Sequence, residues 1–256
     1  MRVLLTNDDG VVAPGLMALA REMSKAAETF VVAPEQERSA TSHAITLHKP
    51  LRVTRVADPE TGLPTWSTNG TPADCVVLAV LDLLGSPPDV VVSGINAGAN
   101  LGMDTIYSGT VSAAVEAALF GIAAVAISVV GFEDMHWEPA AKFAATLVEE
   151  IARRGLPPDS FLNVNVPNRP AAELTGVEVT RQSSRRYVNR LEKRADPRGR
   201  DYYWLTGSVE DGDSAPGTDV RAVAEGRISV TPLRLDMTYD TLSPVIRSWG
   251  LAVPGG

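Results

Sequence analysis

The chain has 256 residues, 45% of them hydrophobic, and a formal net charge of −8, an ordinary composition for one generous α/β domain or a core with an appendage. Its single cysteine, Cys75, excludes a disulfide within the chain, and no uncharged apolar run reaches the roughly 18 residues of a membrane helix. The acidic balance argues against a nucleic-acid binder, but not against a small phosphorylated substrate, because a bound divalent cation inverts the local field.

The opening MRVLLTNDDG runs straight into a strand pattern without the features of a signal peptide. With no disulfide to form, a cytoplasmic protein is expected. Residues 3–6 are a short apolar run, and 16–23 follow with helical spacing. Residues 29–33 (TFVVA) read as the second strand, stopped by Pro34. The stretch 47–67 is β-rich around a Pro-Glu-Thr-Gly turn at 59–62 and reads as a hairpin inserted between units. A helix is predicted over 72–84, with Pro72 in its first turn, Asp74 near the positive end and Gly85 after it. Residues 89–93 (DVVVS) are the third strand, 110–120 an alanine-rich helix ended by Gly121, 122–128 the fourth strand, 138–153 a long helix and 161–166 the fifth strand. Wholly apolar strands separated by helices signal a parallel sheet covered on both faces. The expected fold class is therefore α/β, Rossmann-like and doubly wound, over residues 1–170.

Beyond residue 170 the texture changes. Residues 181–200 carry eight basic residues against Glu192 and Asp196, and Tyr202, Tyr203 and Trp204 follow. Next come an acidic loop with Glu210, Asp211 and Asp213, a short helix near 217–225 and a strand at 227–231. Residues 171–256 thus read as an extended arm with a return to the core, and 252–256 as a frayed end.

In an open parallel sheet, ligands bind at the carboxyl ends of the strands, so the polar residues just past each strand are the candidates. After the first strand come Asn7, Asp8, Asp9 and Gly10. Two adjacent carboxylates repel each other, and a hard divalent cation is the usual remedy; an Asx turn before the next helix is the alternative. After the second strand runs a long polar loop, Pro34 to His43, and long loops in compact domains tend to be functional. In it, Ser39 reads as a metal or phosphate contact or as a solvated serine, and His43 as a proton donor, a phosphate contact or a packing histidine. After the third strand, Gly94, Gly98 and Gly102 recur every fourth residue around Asn96 and Asn100. That spacing is neither a dinucleotide fingerprint nor a Walker loop; it suits a tightly bent backbone offering amide oxygens and donors. Ser108, Gly109 and Thr110 open the alanine-rich helix, where free N–H groups favour an anion, or where Ser108 simply caps. Gly70 to Cys75 opens another helix, as a pocket wall or as a cap. Carboxylates, a hydroxyl, amides and a helix N-terminus on one sheet edge suit a cation and a phosphate bound together, and so metal-assisted hydrolysis of a phosphate ester.

These segments also resemble a known family. TNDDG at 6–10, APEQERSATSHAIT at 33–46, GTPADCV at 70–76, SGINAGANLG at 93–102, YSGTVSAAVEA at 107–117, RQSSRR at 181–186 and SVTPL at 229–233 are similar to the stationary-phase survival protein E family, over residues 1 to about 235. The resemblance implies a Rossmann-like core and 5′/3′-nucleotidase activity, in some members extending to short polyphosphate. It implies one divalent cation per subunit, Mg²⁺ or Mn²⁺, on Asp8, Asp9, Ser39 and Asn96. It further implies a homodimer or homotetramer in which C-terminal segments are exchanged between subunits. The expected roles are then Asp8 and Asp9 as the catalytic acids, with Asp9 orienting the attacking water, and Asn100, Ser108, Gly109, Thr110 and His43 as phosphate contacts. No residue is required as a covalent nucleophile; phosphatases that form an aspartyl phosphate use Asp-x-Asp, whereas these acids are adjacent. A nucleotide sensor that binds without turnover is the alternative reading.

Overall fold

The computed structural model describes residues 1–57, 60–210, 212–251 and 253. Pro59 of the expected turn, Asp211 of the acidic loop and most of the 252–256 end lie outside the described residues.

In chain order the elements are β1 (Arg2–Thr6), α1 (Pro14–Met23), β2 (Glu28–Pro34), β3 (Val53–Val56), β4 (Thr65–Thr68), α2 (Pro72–Leu78, widened into a π turn over Ala79–Leu83) and β5 (Val90–Ala97). A 3-10 turn at Gly102–Ile106 leads into α3 (Gly109–Leu119), β6 (Ala123–Val130), α4 (Trp137–Arg154), β7 (Ser160–Pro167) and β8 (Gly176–Val179). The long strands β9 (Arg186–Ala195) and β10 (Asp201–Glu210), then α5 (Asp219–Ala224), β11 (Arg227–Arg234) and α6 (Ser243–Ser248), complete the chain.

A nine-stranded sheet runs β3-β4-β2-β1-β5-β6-β7-β11-β8. Strands β4, β2, β1, β5, β6 and β7 are parallel neighbours. Numbered among themselves in chain order they read 3-2-1-4-5-6, the Rossmann order, whose switch point lies between β1 and β5. Alternation along β1 assigns the two faces. Val3 and Leu5 pack with Leu16, Leu19 and Met23 of α1 and with Ala144, Val148 and Ile151 of α4. Leu4 packs on the opposite face with Cys75 and Val76 of α2 and Val111, Ala114 and Ala117 of α3. Each such Leu or Val taken fully from water contributes about 1.5–3 kcal/mol. Among the described residues, no helix is long and apolar enough to cross a membrane.

Two helix starts are locally encoded. Thr71 and Asp74 close a reciprocal capping box on α2, and Asp74 also accepts from the backbone and hydroxyl of Thr46 (2.9 and 2.6 Å), pinning the preceding loop. Ser108 caps α3 by accepting from the N–H of Val111 at 3.1 Å. The segment Gly70 to Cys75 thus serves as a cap, and its residues do not line the cleft described below.

Three features add to the sequence expectation. Strand β5 does not stop at Ser93 but continues to Ala97, with its register against β6 shifting between Ser93 and Asn96. Gly94 permits this: its φ is +136°, and any Cβ there would overlap the Ile127 carbonyl oxygen. The hairpin within 47–67 is present as β3 and β4, but it is stitched into the main sheet through the parallel β2–β4 pair. The sheet also continues past residue 170: β11 pairs antiparallel with β7, and β8 pairs with β11. Among the described residues, β9 and β10 stand apart as a two-stranded sheet, with Leu191, Tyr203, Trp204 and Leu205 exposed.

Helix α1 reaches β5 through Gly15, where a Cβ would overlap the backbone carbonyl of Ile95. Helix propensity alone would make Gly15→Ala stabilising by about 1 kcal/mol. Because the obstructing atom is backbone, we expect destabilisation of roughly 1–3 kcal/mol instead, read as a lower urea midpoint at unchanged m-value.

Candidate active site

The switch point lies between the parallel neighbours β1 and β5, and residues at the carboxyl ends of β1, β2, β5 and β6, with those leading into α3, line one cleft of about 420 Å³. Asp8, Asp9, Ser39, Asn96, Asn100 and Ser108 of the predicted set all reach it, joined by Glu37, Asp104, Tyr107 and Phe132.

The loop after β1 is held by Asn7, whose side chain donates to the Gly10 carbonyl at 2.9 Å and accepts the Gly10 N–H at 3.2 Å. This Asx-type clamp leaves both aspartates to face the cleft. Asp8 is buried. Its carboxylate accepts the hydroxyl of Thr110, and the backbone N–H of Thr110 acts on it too. The start of α3 presses against it, since a Cβ on Gly109 would lie 2.8 Å from the Asp8 Cβ. Burial nevertheless raises its pKa, with the Thr110 hydroxyl pulling the other way. Asp9 is half-buried, and burial first, then the negative charge of Asp8, pushes it up to about 6. The N–H of Ala97 at 3.4 Å is its counterweight.

The charged groups acting on this pair are themselves carboxylates, Glu37 included. Such a pair is offset by a cation. Ser39 donates its hydroxyl to Glu37, which leaves the Ser39 oxygen lone pairs free. Asn96 donates its amide to the Gly98 carbonyl at 2.9 Å, which leaves its side-chain oxygen free. Among the described residues no three His, Cys, Asp or Glu side chains converge as a metal cluster. The donors here are two carboxylates, a hydroxyl and an amide, the all-oxygen set that Mg²⁺ or Mn²⁺ accepts.

Asn100 sits at the back of the cleft in a buried polar network. It donates to Ser128 Oγ at 2.8 Å, its N–H is accepted by Asn165 at 2.9 Å, and its carbonyl accepts from Asn163 and Asn165 (2.8 and 3.0 Å). The network was missed in the sequence, although Asn at alternate positions of the otherwise apolar strand FLNVNVP is a visible sign of a polar stripe on one face. Glu37, Asp104, Tyr107 and Phe132 were also missed; they lie in loops or, for Asp104, in the 3-10 turn, where only tertiary structure says what each faces. His43 is not brought to the cleft: its ring nitrogen is 2.7 Å from Glu116, along the flank of α3. Thr110 spends its hydroxyl on Asp8. Cys75 is fully buried under the sheet, and burial pushes its thiol pKa far up, so it is inert.

A hydroxyl, an amide and the start of an eleven-residue helix thus face two carboxylates across a small polar cleft. That arrangement can hold a divalent cation beside a phosphate.

Known proteins resemble this chain over most of its length. The profile of the family described as "Survival protein SurE" matches residues 3–189. A protein of Heliobacterium modesticaldum named 5′-nucleotidase SurE is 51% identical over 249 residues, 97% of this chain and 92% of that protein. Another of that name from Geobacter sulfurreducens is 51% identical over 254 residues, 98% of this chain and 95% of that protein. The crystal structure of the SurE protein from Aquifex aeolicus superposes with a TM-score of 0.83 at 39% identity, covering 98% of this chain and all of that one. A profile spanning most of the chain and relatives at half identity over nearly its whole length leave one conclusion: the chain belongs to the survival protein SurE family.

Proposed function

We propose that this chain is a phosphomonoesterase that removes phosphate from nucleoside 5′-monophosphates, with 3′-monophosphates and short polyphosphate as further substrates. The observation that carries the reading is the pair of buried, mutually repelling carboxylates facing a helix start at the topological switch point. The 5′-nucleotidase names of the relatives support it.

Asp8, Asp9, Ser39 and Asn96 would hold one Mg²⁺ or Mn²⁺, which when bound supplies Lewis-acid polarisation of the phosphoryl group and a more acidic water. The protein's own share is positioning. Thr110 fixes the Asp8 carboxylate through its hydroxyl. Asp9, nearer the mouth, orients the attacking water toward the phosphorus. The Ser108 hydroxyl, the Gly109 N–H and the Asn100 side chain face the phosphoryl oxygens, where fixed dipoles need not reorganise as charge develops. Tyr107 and Phe132, 60% and 81% exposed at the cleft, offer flat apolar surface to the nucleoside. The exposed aromatic and basic hairpin β9–β10 supports a homodimer or homotetramer formed by exchange of segments within 171–256.

The deciding assay is phosphate release from 5′- and 3′-nucleoside monophosphates with Mn²⁺, Mg²⁺ or EDTA. Release should require the metal and fall at least about a hundredfold in Asp8→Asn, the scale of losing one electrostatic stabiliser. Tight nucleotide binding without release would instead make the protein a sensor.

Stability should carry the same signature. Asp9, pushed up to about 6 in the fold, lies above the ordinary carboxyl value of 3.8, so between those values the folded state holds more protons and stability falls as pH rises. In EDTA, Asp9→Asn should therefore melt above wild type at pH 7 to 8, and this advantage should vanish below about pH 4. Added Mn²⁺ should raise the wild-type Tm by mass action and leave Asp9→Asn nearly unmoved.

Base stacking is typically worth about 1–3 kcal/mol on truncation to alanine. Phe132→Ala should therefore raise KM for purine 5′-monophosphates roughly tenfold or more, while glycerol phosphate turnover stays within about twofold.

A further inference from the structure

The base of the β9–β10 hairpin is fastened to the rim of the cleft by a single buried carboxylate. Asp219, the first residue of α5, is 0% exposed. One of its oxygens accepts the N–H of Gly102 at 2.7 Å, and the other accepts the N–H of Ser183 at 2.9 Å. Gly102 opens the 3-10 turn that follows Asn100, whereas Ser183 lies just before β9 and far away in sequence. Further bonds follow the same seam. Gln182 donates to the Gly102 carbonyl at 3.1 Å and to the Thr105 hydroxyl at 2.9 Å. The N–H of Met103 is accepted by the Arg185 carbonyl at 2.8 Å. Arg185 pairs with Asp104 at 3.1 Å, and Asp104 lines the cleft. The approach is close enough that a Cβ on Gly102 would lie 2.8 Å from the Arg185 carbonyl oxygen.

We propose that Asp219 is a positioning residue for the phosphate-ester site: through its two oxygens it sets the 100–107 rim, Asn100 and Asp104 included, against the base of the β9–β10 hairpin. This rests on the phosphatase reading above. The physical argument is one of valence. Two backbone N–H groups from segments 81 residues apart need two acceptors at one buried point, and a carboxylate supplies both without a donor of its own. Buried backbone N–H groups left unpaired are costly, so neither segment can shift without the other. A hairpin moved by docking on a second subunit would therefore shift the cleft rim as well.

Asp219→Asn is the test. It keeps the shape but turns an NH₂ group either toward the N–H of Gly102 or toward those of Ser183 and Val220, the latter also accepted by the carboxylate at 2.8 Å. Hydrogen exchange of the full-length protein, read by mass spectrometry, should quicken at least tenfold in peptides covering 100–107 and 180–186 and stay unchanged in β1 and β5. Mn²⁺ affinity by calorimetry should stay within twofold, because the four metal donors lie outside the seam, while kcat/KM for a 5′-nucleotide falls at least tenfold. Gln182→Ala, at an exposed position, should show the same local exchange in weaker form and guards against misfolding of the first variant. Unchanged exchange at 100–107 would overturn the proposal. So would faster exchange throughout with full activity per folded molecule, which would make Asp219 a purely structural residue. If wild type releases no phosphate from any nucleotide, the phosphatase reading fails, and the exchange experiment still decides whether the seam exists.

Discussion

Two carboxylates on adjacent residues, both drawn out of bulk water, repel each other and each raises the cost of charging the other. The rest of the molecule is arranged around that unfavourable pair. Asp8 and Asp9 sit at the switch point between β1 and β5, the point of a doubly wound sheet where no crossover helix covers the strand ends. The Asn7 clamp, the Thr110 hydroxyl and the Ala97 N–H each fix or partly relieve the pair. None supplies a positive charge. A cation, as proposed above, would offset this repulsion, and that is the strongest physical link between the fold and the proposed phosphate chemistry.

The same tension explains the loops. A long polar segment after β2 would be an entropic burden in a compact domain, yet it returns Arg38 to donate its N–H to the Asp8 carbonyl at 2.7 Å and sets Glu37 and Ser39 at the cleft. The extension of β5 to Ala97 delivers Asn96 and the Ala97 N–H to the same place. Behind them, Asn100, Ser128, Asn163 and Asn165 form a buried polar network in which Asn100 is held from both its side chain and its backbone. Buried networks of this kind cost stability where unsatisfied and fix geometry where satisfied. Asn163 Oδ1 is left without a partner, while the bonds that converge on Asn100 fix the cleft floor.

The additions beyond β7 extend this logic outward. Strands β11 and β8 lengthen the sheet, and the Thr180 hydroxyl just past β8 bonds those of Ser229 and Thr231 on β11. The chain then turns at Arg181 to Arg185, against the rim of the cleft, before leaving as the hairpin. The part of the protein that presents its aromatic surface to solvent is thereby rooted beside the part that presents its carboxylates.

Much of this was legible in the residue order. Period and punctuation revealed the alternation of strand and helix in residues 1–170, because apolar runs bounded by Gly and Pro reflect local backbone preferences and two-sided burial. The rule that ligands meet the carboxyl ends of parallel strands drew out Asp8, Asp9, Asn96, Asn100 and Ser108 as candidates, while Ser39 stood out only through the family resemblance; the fold gathers all six at one cleft. Other features depended on distant partners. That β5 would continue through Gly94 depends on the Ile127 carbonyl across the sheet. That His43 would turn to Glu116, and Thr110 to Asp8, depends on where α3 lands. Nothing in the residue order singles out Glu37, Asp104 or Asp219. Local sequence determines which backbone a segment prefers and which chemistry it carries, but which groups finally face one another is decided by long-range packing.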